Sequence, residues 1–398
     1  MLNIEKIEKA AEVLQEVIRP TFLIRSHKIN PESKLYIKPE NLQVTGSFKV
    51  RGAYYKISQL SDEEKSRGVI ACSAGNHAQG VALGASKNGI KSLICLPDSA
   101  PISKVEATKG YGADVCLVPG AYDDAYQRAL ELKEKHGYTF VHPFNDEDVI
   151  AGQGTIGLEI MKELPDADVV LVPVGGGGLI SGVAFAVKSI NPNCKVYGVQ
   201  AEGAPSMAKS VHDGKIETLD RVVTFADGIA VKTPGTLTYE MCKNYVDDIV
   251  TVTDDEVAAA VLALIDYQRL VAEGAGAVSV AAAMFNKVDV KGKKVVCIVS
   301  GGNIDVTILS RVINRGLIKT GRSTDITLEL ADKPGQLTDV SKIISEKGAN
   351  VVSIYHDRTE LDTEINGCYL RLRLETRNYE HVEEIKYALA KAGYKIVE

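Results

Sequence analysis

Several features that mark particular protein classes are scarce or missing in this chain of 398 residues. It has no tryptophan, its seven cysteines include no C-x-x-C pair, and its seven histidines are not clustered. This spacing indicates reduced thiols rather than a disulfide framework or a zinc site. With no long basic run and a net charge of −6, the chain has no electrostatic footprint for a nucleic acid or an anionic membrane.

Long apolar runs are also missing, since the longest are about half of what a membrane span needs. The N-terminal segment alternates acidic and apolar residues and lacks the basic-then-apolar order of a secretion signal. Apolar residues make up 45% and charged residues 25% of the chain, which are ordinary globular values. We therefore expect a cytoplasmic protein of two or three domains that binds small molecules or other proteins.

Apolar, β-branched runs alternate with helical patterns through the middle of the chain. Residues 121–135 and 152–163 have helical spacing. Strands that are buried on both faces and separated by helices predict parallel sheets in an α/β protein. The predicted buried strands lie at residues 69–72, 92–96, 115–118, 169–174, 195–199 and 295–299.

The texture of the sequence changes after a helical stretch at residues 304–318 and a predicted linker, KTGRSTD. From residue 325 onward the pattern predicts strand, helix, strand, strand, helix and a short terminal strand. This order is typical of a ferredoxin-like α+β unit. We therefore expect a separate domain at residues 325–398.

Glycine-rich turns follow three predicted strands, at residues 73–77, 175–178 and 300–303. Because ligands collect at the carboxyl ends of parallel strands, these turns predict one binding site. The four consecutive glycines precede a predicted helix that begins near Leu179. Their amides and the helix N-terminus suit a phosphate group.

A dinucleotide is the competing ligand, because the next strand ends near Glu202, where a ribose-binding acid is expected. The third glycine of that motif is missing in either register of the four glycines, since Ile180 or Ser181 takes its place. No lysine follows as in a Walker loop. The sequence therefore favours a smaller phosphate compound.

A lysine between two apolar residues stands behind a glycine turn in TGSFKVRG, residues 45–52. A phosphate cradle together with such a lysine predicts pyridoxal phosphate, whose aldehyde needs an amine as its Schiff-base partner. Lys49 would hold the cofactor. Phe48 would pack against its ring, and Asn76 would hydrogen-bond its phenolic oxygen.

Five separated motifs resemble the threonine and serine dehydratases among the fold-type II pyridoxal phosphate enzymes. The resemblance covers about residues 5–320, and the motifs stand in the same order as in that family. It implies a tryptophan synthase β-like catalytic domain over residues 1–320, with a smaller subdomain inserted at about 45–150. The motifs are ENLQVTGSFKVRGA (40–53), SAGNHAQG (73–80), HPFND with AGQGT (142–146, 151–155), VGGGGLISG (174–182) and SGGN (300–303).

The resemblance implies a role for each site residue. Lys49 would be the Schiff-base lysine, Asn76 would contact the ring oxygen and Ser300 the ring nitrogen. Ser73 is expected to act in catalysis beside Lys49 and Asn76, and His77 has either a structural or a catalytic role. The phosphate would be bound by the amides of Gly175, Gly176, Gly177, Gly178 and Leu179, and the substrate carboxylate by the loop of Ser73, Ala74, Gly75 and His77.

The implied reaction converts L-threonine to 2-oxobutanoate and ammonia, with Lys49 removing the α-proton. L-serine is an expected second substrate, because a pocket discriminates against one missing methyl by only about 1–3 kcal/mol. The preference between them, and a biosynthetic or catabolic role, stay open. A 3-hydroxyaspartate dehydratase is a further alternative within the same family.

Three other functions compete with dehydration. Serine racemases of the family carry a serine where this chain has Ala74, which has no proton to give. β-Replacement enzymes such as cysteine synthase usually lack the Phe-Lys-x-Arg-Gly pattern found at residues 48–52. An amino-acid sensor with an inert core is the third, and the intact lysine motif argues against it.

Residues 332–337 and 350–354 resemble an ACT regulatory domain. The resemblance implies an amino-acid effector, with isoleucine as an inhibitor and valine as an opposing effector. The longer biosynthetic enzymes carry two such domains, whereas this chain has room for one. Paired domains also imply a homo-oligomer, a dimer or a tetramer. The residues expected to contact the effector are Gly335, Gln336, Leu337 and Asn350.

A cation is the last expected ligand. Similar enzymes hold one beside the cofactor phosphate with an acid that follows the next strand. Glu202, Ser206 and Ala208 have suitable spacing for a monovalent or divalent ion. A solvated glutamate on a loop is the competing interpretation.

Overall fold

The chain divides into two units, Met1–Val306 and Thr307–Glu398. The computed structural model describes residues 2–358 and 365–397. This division groups the helix Val306–Lys319 mainly with the second unit. The domain boundary expected from the sequence lies after that helix, at residue 320.

Ten strands form two sheets in the first unit. They are β1 (Ile24–Ser26), β2 (Lys34–Pro39), β3 (Val69–Cys72), β4 (Ser92–Pro97), β5 (Asp114–Val118), β6 (Thr139–Phe140), β7 (Val169–Pro173), β8 (Lys195–Ala201), β9 (Asp248–Val252) and β10 (Lys294–Val299). The larger sheet has the order β1-β2-β10-β7-β8-β9 and the smaller β5-β4-β3-β6. Apart from β1, which is antiparallel to β2, their described pairings are parallel.

Twelve α-helices are present in the described part of this unit. They are α1 (Ile4–Leu14), α2 (Lys49–Ser58), α3 (Asp62–Arg67), α4 (Asn76–Lys87), α5 (Ile102–Gly110), α6 (Tyr122–His136), α7 (Glu147–Glu163), α8 (Gly178–Ile190), α9 (Ser206–Asp213), α10 (Thr236–Tyr245), α11 (Asp254–Ala263) and α12 (Gly274–Met284). Helices α2 and α7 pack closely where α7 has Gly152, since a β-carbon there would lie 2.6 Å from the carbonyl oxygen of Arg51. This contact fixes the helix that begins at Lys49.

The α/β fold predicted from the alternating pattern is confirmed. All six predicted strands are present, and β3, β7 and β10 are apolar and buried along most of their length. The prediction that β5 is buried is wrong, because β5 lies at the edge of the smaller sheet and is only partly buried. Strands that are buried on both faces need helices packed against each face of the sheet. The glycine-rich turns follow the carboxyl ends of β3, β7 and β10.

The sequence analysis missed strands β1, β2, β6 and β9. Of these, β1 and β6 have only three and two residues. Strand β2 contains Lys38, whose side chain is 1% exposed and whose Nζ lies 2.5 Å from an oxygen of Glu159. Such a buried ion pair interrupts the apolar pattern that marks an internal strand. Strand β9 pairs with β8 at the sheet edge, where it is only partly buried.

The second unit is a four-stranded antiparallel sheet with helices on one face. Its elements are β11 (Ser323–Ala331), β12 (Asn350–Asp357), β13 (Gly367–Glu375), β14 (Lys395–Val397), α13 (Val306–Lys319), α14 (Gln336–Glu346) and α15 (Tyr379–Lys391). The order β12-β13-β11-β14 agrees with the predicted ferredoxin-like unit. Leu328 and Leu370 pack with Ile344 and Ile385 in its core.

The predicted linker is shorter than expected, because β11 already begins at Ser323. Polar residues there obscure the strand, and pairing with β13 extends it: Asp325 lies opposite Arg373, and the two side chains form an ion pair of 2.8 Å. Within the described residues, no helix has both the length and the apolar character needed to cross a membrane.

Candidate active site

Lys49 is the first residue of α2, and its side-chain amine is surrounded by other groups of the protein. Its Nζ is 5.3 Å from the centroid of the Phe48 ring and donates a 2.9 Å hydrogen bond to the carbonyl oxygen of Pro143. Burial lowers the pKa of the amine to about 8, against the opposing charge of Glu273. Near that pH a large fraction of the amine is neutral, as a nucleophile or a base requires.

The turn from His142 to Asn145 joins Lys49 to the glycine loop. His142 Nδ1 accepts backbone N–H groups from Phe144, at 3.2 Å, and from Asn145, at 2.8 Å. Burial, and then the charge of Lys49, lower the pKa of His142 to about 4, so the ring stays neutral and can accept both. The turn therefore holds the Pro143 carbonyl in place for Lys49.

The four glycines form the close-packed entrance to α8. A β-carbon on Gly176 would lie 2.4 Å from the Phe144 ring, and one on Gly178 would lie 2.9 Å from the Phe144 Cα. Gly177 has a φ of +96°. The amides from Gly175 to Gly178 donate to no backbone carbonyl in the part of the chain that the structure describes. Free amides at a helix N-terminus suit an anion.

Asn76, at the start of α4, lies in a hydrogen-bonded chain of side chains. Its Oδ1 accepts from Asn303 Nδ2 at 2.7 Å, and its Nδ2 donates to Glu273 Oε1 at 2.6 Å. Asn303 also donates to the carbonyl oxygen of Thr45 at 2.8 Å. The second N–H of the Asn76 amide remains to donate to a ligand.

Ser300 follows β10 and lies against the segment that carries Lys49. The amide of Phe48 donates to the Ser300 carbonyl oxygen at 3.1 Å, and Ser300 Oγ donates to the carbonyl oxygen of Ala275 at 3.3 Å. Ser47 and Gly301 form an isolated bridge beside it. The structure thus brings Lys49 and Ser300 into one site from distant parts of the chain.

The loop from Ser73 to His77 follows β3. Ser73 Oγ accepts the amide of Gly75 at 3.2 Å, with Ala74 between them. His77 is buried, and its Nε2 is 2.8 Å from the carbonyl oxygen of Val141. Burial lowers the pKa of His77 to about 3, so the imidazole is neutral. This carbonyl contact favours the structural role for His77 over the catalytic one.

Arg51 anchors α2 two residues after Lys49. The Arg51 side chain is fully buried, and its Nε lies 2.8 Å from an oxygen of Glu40, which is also fully buried. A second ion pair, of 2.6 Å, joins Arg51 to Glu159 on α7. These two carboxylates raise the pKa of the guanidinium despite its burial. The arginine of the Phe-Lys-x-Arg-Gly pattern therefore holds the helix rather than a ligand.

The predicted cation residues follow β8 in the chain and differ in exposure. Glu202 is exposed, whereas Ser206 is fully buried and its Oγ has no hydrogen-bond partner among the described residues. The amide of Ala208 donates to Gln200 Oε1 at 2.8 Å. Met207, on the same turn, reaches the glycine loop, since a β-carbon on Gly177 would lie 2.5 Å from its Cε.

Within a single copy of the second unit, the structure does not bring the expected effector residues together. Gly335, with a φ of +94°, precedes Gln336 and the partly exposed Leu337 at the start of α14. Asn350 lies opposite Glu375, at the end of the sheet where β11 begins. The first turn of α14 follows the other end of β11, so these residues form two separate groups.

Glu273 and Pro143 contribute to the site but were missed by the sequence analysis. Glu273 is 5% exposed, and burial, with the charge of Asp227, raises the pKa of its carboxyl to about 7. Its signal in the sequence was a single acid within a run of small residues, VAEGAGAV. The contribution of Pro143 is a carbonyl oxygen, which every residue type has.

Comparisons with a family model, with curated proteins and with solved structures point to the same family. Residues 14–301 match the model of the family described as pyridoxal-phosphate dependent enzyme. The chain is 52% identical to the L-threonine ammonia-lyase of Thermotoga maritima over all 398 residues, which cover 99% of that protein. This agreement includes the second unit.

Solved structures resemble about four-fifths of the chain. The processed form of threonine deaminase isoform 2 from Solanum lycopersicum has a TM-score of 0.74 and 40% identity, covering 79% of this chain and 89% of its own. Maize serine racemase has a TM-score of 0.75 and 36% identity, covering 79% and 98%. The chain therefore belongs to the pyridoxal-phosphate dependent enzymes.

Proposed function

We propose that this protein deaminates L-threonine to 2-oxobutanoate and ammonia with pyridoxal phosphate as its cofactor. The observation that carries the proposal is the amine of Lys49, which lies among protein atoms with a lowered pKa and is linked through the 142–145 turn to a glycine loop with free amides. The full-length identity to an L-threonine ammonia-lyase supports the choice of substrate.

The residues of the site fit the cofactor. The free amides of Gly175, Gly176, Gly177 and Gly178, with Leu179, would bind the phosphate, and the Asn76 amide has an N–H left for the ring oxygen. Phe48 lies beside the amine, and Ser300 would face the ring nitrogen. When bound, pyridoxal phosphate supplies an electron sink that stabilises the negative charge left by removal of the substrate α-proton.

Lys49 has two tasks in this proposal. Its amine would hold the cofactor, and with the substrate bound the same amine would take the α-proton of threonine. A lowered pKa suits both, because the amine must be unprotonated before each. The Pro143 carbonyl accepts an N–H of Lys49 and orients the amine without giving it a proton. The substrate carboxylate would be bound by the loop of Ser73, Ala74, Gly75 and His77.

Racemisation is the second candidate, favoured by the similarity to maize serine racemase. It needs a second acid or base on the other face of the substrate, and Ala74 has no side chain that can serve. L-Serine offered to the enzyme should therefore give pyruvate with little D-serine. Chiral analysis of the remaining serine tests this, and a D-serine yield comparable to pyruvate would favour the racemase.

Two further ligands belong to the proposal. A cation would be held by Glu202, Ser206 and Ala208, supported by the buried, unpartnered Ser206 hydroxyl among the described residues. An amino-acid effector would bind between two paired ACT domains, because within a single second unit the expected effector residues form two separate groups. These residues are Gly335, Gln336, Leu337 and Asn350. Such pairing requires a homo-oligomer. Equilibrium dialysis with isoleucine and valine, and activity after cation exchange, test these two parts.

One experiment tests the central proposal. The visible spectrum of the purified holoenzyme is recorded before and after L-threonine is added, and the 2-oxobutanoate released is measured for wild type, Lys49→Ala and Lys56→Ala. Lys56, on the same helix, pairs with Asp146 at 2.9 Å and is the matched control. We expect a Schiff-base band and product from wild type and Lys56→Ala only. Product from Lys49→Ala at the wild-type rate would refute the role of Lys49.

A further inference from the structure

Three potential metal ligands converge in the second unit, outside the residues used above. They are a carboxylate oxygen of Asp332, a ring nitrogen of His356 and the Sγ of Cys368, and all three atoms lie within 4.8 Å of one another. His356 Nε2 is 2.9 Å from Cys368 Sγ and 3.9 Å from Asp332 Oδ1. No other group of this kind occurs among the residues that the structure describes.

The sheet register brings these residues together. Cys368 on β13 lies opposite Leu330 on β11, and His356 on β12 lies opposite Leu370. Cross-strand partners share a face, and so do residues two apart on one strand. Cys368 and His356 therefore both lie on the core side of the sheet. Asp332 directly follows the end of β11 and closes the group.

The group combines one buried ligand with two accessible ones. Cys368 is fully buried, whereas the side chains of His356 and Asp332 are each 34% exposed. An ion could enter from the solvent side and find a thiol at the base of the site. The position toward solvent would stay open to water, as in zinc sites that have three protein ligands.

The ligand set favours one class of metal. A thiolate, an imidazole and a carboxylate together suit Zn²⁺ and related transition ions, whereas Ca²⁺ and Mg²⁺ prefer oxygen ligands. Bond lengths of about 2.1 Å to nitrogen and 2.3 Å to sulfur in a tetrahedron separate those atoms by about 3.5 Å. The present separation of 2.9 Å needs only a small side-chain shift.

Arg358 pairs with the carboxylate of Asp332. Its Nε lies 2.9 Å from Asp332 Oδ2 and its NH2 nitrogen lies 3.1 Å from Asp332 Oδ1. A guanidinium and a metal ion compete for the same negative charge. Removing Arg358 should therefore strengthen metal binding, an effect that a merely structural Asp332–Arg358 pair would not produce.

We infer that Asp332, His356 and Cys368 form a binding site for a zinc-type divalent transition-metal ion. Binding joins the end of β11 to β12 and β13. The Cys368 proton leaves to solvent as the metal–sulfur bond forms. No reductant or oxidant is involved.

Cobalt(II) is the probe, because a cobalt–thiolate bond gives a charge-transfer band and a tetrahedral site gives strong visible d–d bands. Co²⁺ is titrated into the full-length holoenzyme under reducing conditions, and Zn²⁺ is then added in competition. We expect thiolate bands in wild type that Zn²⁺ removes. Cys116→Ser, which alters a half-buried cysteine of the first unit, is the matched control and should keep them.

Three variants decide the outcome. Cys368→Ser should lose the charge-transfer band. His356→Gln alters a partly exposed ligand, so this variant should still fold, and it should bind Co²⁺ at least about tenfold more weakly. Arg358→Ala should bind roughly fivefold more tightly. Absence of thiolate bands in the wild type, or bands that persist unchanged in both ligand variants, would overturn the inference.

Discussion

Asn76 Nδ2 lies 2.6 Å from Glu273 Oε1, which ties the start of α4 to a buried acid almost two hundred residues later in the chain. The pair is completed by Asn303, which donates to the Asn76 Oδ1. With one oxygen accepting and one N–H donating, the Asn76 amide cannot rotate without losing both bonds. Its remaining N–H therefore has one fixed direction.

Replacing Glu273 by glutamine should change how stability depends on pH. Burial raises the folded-state pKa of Glu273 from 4.5 to about 7, so between these values the native state holds a proton that the unfolded chain has released. Stability therefore falls as pH rises through this window, by about 2.5 kcal/mol between pH 5 and pH 8. Urea unfolding of the cofactor-free protein at both pH values should show this decrease reduced in Glu273→Gln.

Asp227→Asn provides the companion measurement. The Asp227 charge is the second cause of the raised Glu273 pKa, and Asp227 also binds Lys104 at 2.7 Å. Removing the Asp227 charge should lower the pKa of Glu273 and so narrow the pH range over which stability falls. A pH dependence that is identical in wild type and Glu273→Gln would show that another group is responsible.

Gly176→Ala should weaken cofactor binding. Its β-carbon would lie 2.4 Å from the Phe144 ring, so the loop and its free amides must move. We expect at least a tenfold rise in the dissociation constant of pyridoxal phosphate, because each displaced charge-assisted hydrogen bond is worth about 1.5–3 kcal/mol. Fluorescence titration of the apoprotein measures it. Gly110→Ala, where no atom lies within 4 Å of the added carbon, should bind normally, and unchanged affinity in Gly176→Ala would contradict the assigned cradle.

Arg51→Leu should unfold the protein more easily. The substitution leaves Glu40 buried without its cation, which costs about 3–5 kcal/mol. Denaturant unfolding of the apoprotein measures the loss. Arg67→Ala removes an exposed ion pair with Glu63 and should cost under about 1 kcal/mol. Adding Glu40→Gln to Arg51→Leu should restore part of the stability, and its failure to do so would point to lost packing instead.

His77→Gln should reduce sensitivity to acid. Burial lowers the folded-state pKa of His77 from 6.5 to about 3, so below pH 6.5 the unfolded state binds a proton that the native state does not. Stability is lost as pH falls, by about 2 kcal/mol between pH 7.5 and pH 5. The variant should lose less over this range, as measured by urea unfolding. The exposed His136, changed to glutamine, should behave as wild type, and equal losses in all three proteins would exclude His77 as the source.

Six strands of the two sheets could be predicted because each contains an apolar run, and three of them, β3, β7 and β10, are followed by a glycine-rich turn. Lys49 and the four glycines could be proposed as a cofactor site because their chemistry is local and unusual. Glu273 could not, because only the tertiary fold brings it beside Asn76. Pro143 acts through its backbone, for which no side-chain signal exists.

The metal ligands of the second unit show the same limit. His356 and Cys368 are twelve residues apart in the chain and lack the close spacing of a zinc motif, so the sequence argued against a zinc site. Their proximity follows from strand register, in which His356 lies opposite Leu370 and Cys368 stands two residues before it. A shift by one residue would turn one of these side chains to the other face.

The position of β10 between β2 and β7 has a consequence for how the protein is made. Lys49 is synthesised early, whereas the strand that completes the sheet ends only at Val299. The next residue, Ser300, has the carbonyl oxygen that accepts the Phe48 amide. The nascent chain thus carries its reactive lysine in an unfinished sheet for most of its synthesis. The Phe48–Ser300 bond beside Lys49 can form only when translation has passed residue 300, so we expect the cofactor to bind after that point.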